Sequence, residues 1–102
     1  MTERQRLPNR RGLELIDFEH GGIGYTAGIG RFADGSLAEI FLNTAKHGTA
    51  VDVNARDAAV AASLLLQHGC SVDTLRQALT RNGDGSGSGP LAHALDLLTE
   101  RQ

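Results

Sequence analysis

Apolar and polar residues alternate in three consecutive stretches near the start of the chain, which is the pattern of strands with one buried face. The stretches cover residues 15–20, 23–32 and 37–43. Gly21-Gly22 separates the first two and Asp34-Gly35 the last two, and both dipeptides are typical of two-residue hairpin turns. The pattern therefore predicts a three-stranded antiparallel meander.

The two turns also predict a register, if each contains two residues. Phe18 then lies opposite Tyr25 and Ile29 opposite Ile40, and side chains alternate between the two faces of the sheet. One face collects the residues predicted to form the core: Ile16, Phe18, Tyr25, Ala27, Ile29, Ile40 and Leu42. The other face combines acidic residues and glycines with a second apolar set: Leu13, Leu15, Phe32, Leu37 and Phe41.

After Gly48 the spacing of apolar residues changes to that of a helix. Asp52 or Asn54 is predicted to cap a first helix that runs to about His68 and stops at Gly69. Its predicted buried stripe is rich in alanine, which indicates a close approach to another backbone: Ala55, Ala58, Ala59, Ala62, Leu65 and Leu66.

Two further helices are predicted. Ser71 would cap the second, whose inward residues would be Val72, Leu75, Ala78 and Leu79. Residues 82–89 are rich in Gly and Ser and are predicted to be a flexible loop, and Pro90 would begin a third helix over residues 90–101. The predicted fold class is α+β: a three-stranded antiparallel meander followed by two or three helices packed on one face.

The order of these elements resembles that of a TSCPD domain. The resemblance covers about residues 12–80 and rests on four short matches: Glu39-Ile40-Phe41-Leu42, Lys46-His47-Gly48, Ser63 to Gly69 and Val72 to Leu79. TSCPD domains occur at the C-terminal end of cobalamin-dependent class II ribonucleotide reductases and as small separate proteins. The resemblance implies a non-catalytic binding or accessory module in nucleotide metabolism that acts through protein contacts. The Thr-Ser-Cys-Pro-Asp motif that names the family is absent, so no thiol or metal role tied to it is carried to this chain.

Length and composition suit a single small domain. The chain has 102 residues, of which 4% are aromatic, so its core must be built mainly from aliphatic side chains. We expect the domain to span residues 13–102, after a flexible basic arm over residues 1–12 that carries four arginines: Arg4, Arg6, Arg10 and Arg11.

Charge and cysteine usage limit the partners and the compartment. The net charge of −2 gives no electrostatic reason to expect nucleic acid or an anionic membrane as a partner. The single cysteine cannot form an intramolecular disulfide, and the polar N-terminus does not resemble a signal peptide. The longest apolar-rich stretch, Ala58 to Leu66, is too short to span a bilayer. These features predict a cytoplasmic protein.

One loop is a candidate binding site for an anion. Lys46, His47, Gly48 and Thr49 lie just before the first helix, where backbone amides and the helix dipole attract negative charge. A small nucleotide- or anion-binding protein that uses this loop is therefore the alternative function. An ordinary exposed connection between strand and helix is the simpler interpretation of the same residues.

Little in the sequence indicates catalysis. Cys70 lies just before the predicted Ser71 cap and could be a nucleophile, but a small structural side chain is the simpler interpretation because no second cysteine exists. The four histidines show no metal-binding spacing: His20, His47, His68 and His93. We therefore predict no catalytic residue, no metal site and no cofactor.

The second apolar face of the sheet predicts association. A solvated face should be mostly polar, whereas this one is expected to show Leu15, Gly28 and Phe41 in one row across three strands. We predict a homo-oligomer or a complex with another protein through this face. The alternative is that the third helix or the basic arm covers it within the chain.

Overall fold

A computed structural model describes residues 3–4 and 13–100, without the side chain of Glu100. Its elements are β1 (Glu14–His20), β2 (Ile23–Arg31), β3 (Leu37–Thr44), α1 (Ala50–Gln67), α2 (Val72–Ala78) and α3 (Pro90–Glu100). The strands form one antiparallel sheet in the order β1-β2-β3, with α1 against β3 and α3 beside β1. The predicted α+β fold is confirmed. Most of the predicted basic arm lies outside the described residues.

The sheet face that packs against the helices is the predicted one. Phe18 pairs with Tyr25, and Ile29 with Ile40. Both isoleucines are completely buried, in a cluster that also contains leucines from the strands and helices: Leu42, Leu66, Leu75, Leu91, Leu95 and Leu98. Full burial of one such side chain contributes about 1.5–3 kcal/mol, so this cluster holds the helices against the sheet.

The second hairpin turn differs from the prediction. The Phe32 amide donates to the Ser36 carbonyl at 2.9 Å, and the Gly35 amide donates to the Phe32 carbonyl at 2.9 Å. Ala33, Asp34 and Gly35 thus form a loop of three residues rather than two, and Gly35 has a φ of 89°. This is a type I turn followed by a left-handed glycine, the usual form of a three-residue hairpin loop.

A bulge next to this turn corrects two predicted positions. Arg31 pairs with Leu37, but Gly30 pairs with Glu39, so Ala38 is an extra residue that restores the predicted register beyond it. The bulge moves Leu37 from the second apolar face into the core cluster, where it is 7% exposed. Phe32 is also buried, at 9% exposure. The predicted exposure of Leu37 and Phe32 was therefore wrong.

Helix α1 seals the free edge of β3 with polar side chains. The Ser63 hydroxyl accepts from the Ile40 amide at 2.9 Å, and Gln67 Nε2 donates to the Ala38 carbonyl at 3.2 Å. At the other end of the strand, the Thr44 amide donates to Asp52 Oδ1 at 3.0 Å. An uncovered strand edge invites pairing with another chain, and these side chains satisfy its backbone groups within the fold.

The alanine stripe of α1 was predicted in part. The small side chains of Ala55, Ala59 and Ala62 are buried and allow the close approach of the helix to β3. Ala58 and Leu65, which were predicted to be buried, are exposed.

The two ends of α1 test the predicted caps. The N-cap is Thr49, whose hydroxyl accepts from the Asp52 amide at 3.2 Å, so neither Asp52 nor Asn54 is the cap. At the C-terminal end, the Gly69 amide donates to the Leu66 carbonyl and the Cys70 amide to the Leu65 carbonyl. These two bonds form a Schellman motif, which confirms the predicted stop at Gly69.

Gly69→Ala is expected to lower the free energy of unfolding by about 1 kcal/mol, because Gly69 has a φ of 98° and a Cβ atom disfavours that conformation. Urea denaturation measures the change. Gly24→Ala is the matched control, since its Cβ would meet nothing within 4 Å. Equal effects of the two substitutions would contradict the role of Gly69.

Helix α2 begins at the predicted cap. The Ser71 hydroxyl accepts from the Thr74 amide at 3.1 Å, and Leu75 is buried. Val72 and Leu79 are half-buried against the core, whereas Ala78 is exposed, contrary to its predicted position.

The segment between α2 and α3 contains a hydrogen-bonded turn where the sequence predicted a flexible loop. The Asn82 amide donates to the Ser86 carbonyl at 2.8 Å, and Asp84 Oδ1 accepts from the Ser86 amide at 2.9 Å. Gly85 has a φ of 89°, as Gly35 has in the hairpin loop. Both turns contain the sequence Asp-Gly-Ser, so the dipeptide that predicts the hairpin turn at residues 34–35 also indicates a turn at residues 84–85.

An ionic cluster ties α3 to α2. Arg76 Nε donates to Asp96 Oδ1 at 2.8 Å, and the Arg81 guanidinium pairs with both oxygens of the same carboxylate. The Arg81 hydrogen bond, with a smaller contribution from Arg76, holds the pKa of Asp96 below its usual value. The cluster fixes the position of α3 relative to α2.

Candidate functional site

Three kinds of surface feature could carry function: exposed apolar surfaces, a loop and a cleft. The first apolar surface is the sheet face opposite the helices. We call it the outer face and define it by Leu13, Leu15, Gly28 and Phe41. The three large side chains are 55%, 69% and 40% exposed, respectively. An added Cβ at Gly28 would lie 3.6 Å from Phe41 and 3.7 Å from Leu13, so both side chains border the bare glycine. The outer face is a contiguous apolar surface in the described part of the chain.

A second apolar surface was missed by the sequence analysis. Helix α1 exposes Val53, Val60 and Leu64, at 43%, 49% and 42% of their surface. These residues are separated by seven and four positions, a helical spacing that could have been found in the sequence. The predicted apolar stripe of this helix contains none of these three residues.

The second feature is the predicted anion loop, and its structure centres on a buried carboxylate. Asp52 is completely buried below the loop. Its Oδ1 accepts from the Thr44 amide at 3.0 Å, and its Oδ2 accepts from the Gly48 amide at 3.2 Å. The hydrogen bond from the Thr44 amide is the main cause that lowers the pKa of Asp52 below its usual value. The hydrogen bond from the Gly48 amide and the positive charge of Arg56 lower this pKa further.

This carboxylate bears directly on the predicted site. Lys46, His47, Gly48 and Thr49 are all exposed, as an anion site requires. Lys46 and Thr49 also line an open cavity of about 380 Å³. However, the amide of Gly48 already donates to the protein's own carboxylate. The structure brings the four residues together, and anion binding by them stays a prediction.

The third feature is an apolar cleft between the first turn of the sheet, the first half of α1 and the start of α3. Its volume is about 480 Å³. We call it the apolar cleft; aliphatic walls come from Ile23, Val51, Ala55 and Leu79, and Tyr25 also lines it. Its size lies within the range of about 300–1,000 Å³ that is usual for small-molecule sites. No local pattern predicts this cleft, because its walls come from separate elements.

Two histidines meet at one end of this cleft. His20 Nε2 lies 2.8 Å from the Ser88 carbonyl, and His20 Nδ1 lies 2.9 Å from His93 Nδ1. A carbonyl only accepts, so Nε2 of His20 carries the proton. In the neutral pair, Nδ1 of His20 then accepts from His93. Sequence spacing does not predict this pair, because 73 residues separate the two histidines.

The sequence predicted no catalytic residue and no metal site, and the residues considered for those roles lie as follows. Cys70 is half-buried against the core, and its thiol lies 3.6 Å from the Ser71 carbonyl. Within residues 3–4 and 13–100, no three His, Cys, Asp or Glu side chains lie close enough to hold a metal ion. No helix among the described residues is both long and apolar enough to cross a membrane.

Comparison with known proteins relates the chain to part of an enzyme. It is 36% identical over 78 residues to the vitamin B12-dependent ribonucleotide reductase of Agrobacterium fabrum, and 35% identical over 80 residues to that of Bradyrhizobium diazoefficiens. The matches cover 76% and 78% of this chain but only 6% of each reductase. No protein-family model and no solved structure matches the chain. The chain thus resembles a small segment of these reductases, and its assignment to TSCPD domains stays a prediction.

Proposed function

We propose that this chain is a non-catalytic accessory module related to ribonucleotide reductase, and that it acts by binding protein through its outer face. The observation that carries the proposal is the similarity to a segment that makes up only 6% of each reductase. Such a small unit would act within a larger assembly and meet its neighbours through its surface. The matched reductases supply the first partner to test.

The chemistry of the outer face supports this role. Leu13, Leu15 and Phe41 are large apolar side chains that remain 40–69% exposed, while most apolar side chains on the other face of the same sheet are buried against the helices. Covering them would remove apolar area from water at about 25 cal/mol per Å². The polar residues at one end of this face, including the hydrogen-bonded pair Thr26 and Asp17, would form a rim around the contact.

Nucleotide binding by residues 46–49 is the weaker alternative. An anion at this loop would approach the carboxylate of Asp52, which holds the Gly48 amide. Like charges at close range repel, so the arrangement disfavours a phosphate at that amide. Location in the cytoplasm remains a further prediction of the sequence.

Binding to a reductase in trans tests the proposal. The Agrobacterium fabrum reductase is prepared intact and with the segment similar to this chain removed. The chain is expected to bind the shortened enzyme more tightly, because the segment of the intact enzyme competes for the same place. Surface plasmon resonance with the immobilised 102-residue chain gives both dissociation constants.

Variants of the outer face complete this test. Phe41→Asp is expected to weaken binding to the shortened reductase about 100-fold or more, because it places a charge in the contact. Val60→Asp, an apolar-to-acidic change on the exposed side of α1, should leave binding unchanged. If the chain binds neither the intact nor the shortened reductase, the proposed partner is wrong.

A further inference from the structure

The apolar cleft combines aliphatic walls with hydrogen-bond donors and contains no charged side chain. None of its lining residues is Asp, Glu, Lys or Arg. An organic ligand there would meet no lysine, arginine or carboxylate side chain in the lining. Its specificity must therefore come from neutral polar groups in the walls.

Tyr25 provides the first such group. Its side chain is 95% buried, since only 5% of its surface is exposed. Its ring stacks on Phe18 at 5.4 Å, but its hydroxyl forms no hydrogen bond with any described residue. No side-chain oxygen or nitrogen among the described residues is both fully buried and unpaired, so this hydroxyl is not sealed in the core. Tyr25 lies on the core face of β2 and lines the cleft, whereas a second cavity that it lines opens on the opposite side of the sheet, beside Asp17 and Thr26. A side chain on the core face extends toward the cleft.

The start of α3 provides two further donors. Gly89 has no side chain to cap the helix, and Pro90 has no amide hydrogen. The His93 amide donates to the Gly89 carbonyl at 3.1 Å, whereas the amides of Leu91 and Ala92 have no acceptor among the described residues. Residues 89–92 all line the cleft, at the positive end of a helix of 11 residues.

The histidine pair does not add an acceptor. His20 donates through Nε2 to Ser88, and its Nδ1 is occupied by His93. Asn54 and Thr80 also line the cleft, but both are exposed and their side chains can donate as well as accept. The buried lining therefore presents three unpaired donors: the Tyr25 hydroxyl and the two helix amides. A ligand that satisfies them must bring oxygen acceptors.

We infer that the apolar cleft binds a small organic carboxylate with an aliphatic body. The carboxylate would accept from the Tyr25 hydroxyl and from the amides at the start of α3. The aliphatic body would pack between Ile23 and Val51 on one side and Leu79 on the other. This site is separate from the outer face and does not depend on the proposed partner.

Hexanoate is a suitable probe, with hexylamine as its control because it has the same aliphatic body and the opposite charge. In a titration followed by ¹H–¹⁵N NMR, hexanoate should shift the amides of Tyr25, Leu91 and Ala92 in a saturable way. The expected dissociation constant is about 1 mM or lower. Hexylamine should bind at least about tenfold more weakly.

Two variants locate the ligand. Tyr25→Phe removes one donor and leaves the stacked ring, so it should weaken hexanoate binding about tenfold. Ala58→Leu adds bulk to the wall of the cleft and should abolish binding. Ala61→Leu is its matched control, since both alanines are exposed on α1 and only Ala58 lines the cleft.

Three results would overturn the inference. The first is the absence of a saturable shift up to about 20 mM hexanoate. The second is equal binding of hexanoate and hexylamine, which would show that the donors do not select an acceptor. The third is full binding by both Tyr25→Phe and Ala58→Leu, which would place the ligand elsewhere.

Discussion

Asp52→Ala is expected to lower the melting temperature by about 10 °C or more. Asp52 joins the start of α1 to the end of β3, because its two oxygens accept the amides of Gly48 and Thr44. Thr44 is buried, so its amide would lose its partner without gaining water. Asp52→Asn keeps the shape and one acceptor oxygen, and its effect should be intermediate. Differential scanning calorimetry gives the three temperatures.

Asp57→Ala is the matched control for this prediction. Asp57 lies on the same helix, is exposed and has no hydrogen bond or ion pair with the described residues. Its replacement should change the melting temperature by no more than a surface substitution does. Equal effects at the two positions would contradict the structural role of Asp52.

The acid limb of the stability curve tests the same carboxylate. The Thr44 amide holds the folded-state pKa of Asp52 below its usual value. On acidification the unfolded chain takes up its proton first, so the stability that Asp52 contributes is complete above about pH 4 and is lost below it. Asp52→Asn should lack this part of the slope. Asp96, whose pKa is also lowered, should keep a residual slope in the variant.

Phe41→Asp is expected to abolish association through the outer face while leaving the fold intact. Phe41 is 40% exposed beside Gly28 and does not belong to the core cluster, so the substitution removes no part of the core. A carboxylate in the middle of an apolar contact would lose its water, which should raise the dissociation constant about 100-fold or more. Sedimentation equilibrium measures association, and far-ultraviolet circular dichroism checks the fold.

Val60→Asp controls for a general effect of an added negative charge. Val60 is 49% exposed on α1, which packs on the other face of the sheet from the outer face. Association should remain unchanged in this variant. If Val60→Asp dissociates the protein and Phe41→Asp does not, the exposed apolar side of α1 is the contact surface instead.

Strand order, register and core could be predicted because local patterns determine them. The alternation of Phe18, Tyr25 and Ile29 with polar residues specifies which face is buried, and the turn dipeptides specify which strands are neighbours. The bulge at Ala38 could not be predicted from this alternation, because it depends on the three-residue form of the second loop. That local change also explains why Leu37 was placed on the wrong face.

Helix caps and candidate sites were harder to predict because they depend on contacts between distant segments. Aspartate is a common N-cap residue, but Thr49 is the N-cap of α1. The carboxylate of Asp52 instead accepts hydrogen bonds from the amides of Thr44 and Gly48. The apolar cleft likewise requires Tyr25 on β2 to meet the start of α3. Neither arrangement has a signal in local spacing.

The most direct test of the proposed function is sedimentation velocity of the chain with and without the shortened Agrobacterium fabrum reductase. We predict that the wild-type chain sediments as a species larger than the 10.8 kDa monomer or co-sediments with the shortened reductase. Phe41→Asp is expected to do neither. If the wild-type chain sediments as a monomer in both samples, or if Phe41→Asp associates as the wild type does, the outer face is not a protein-binding surface.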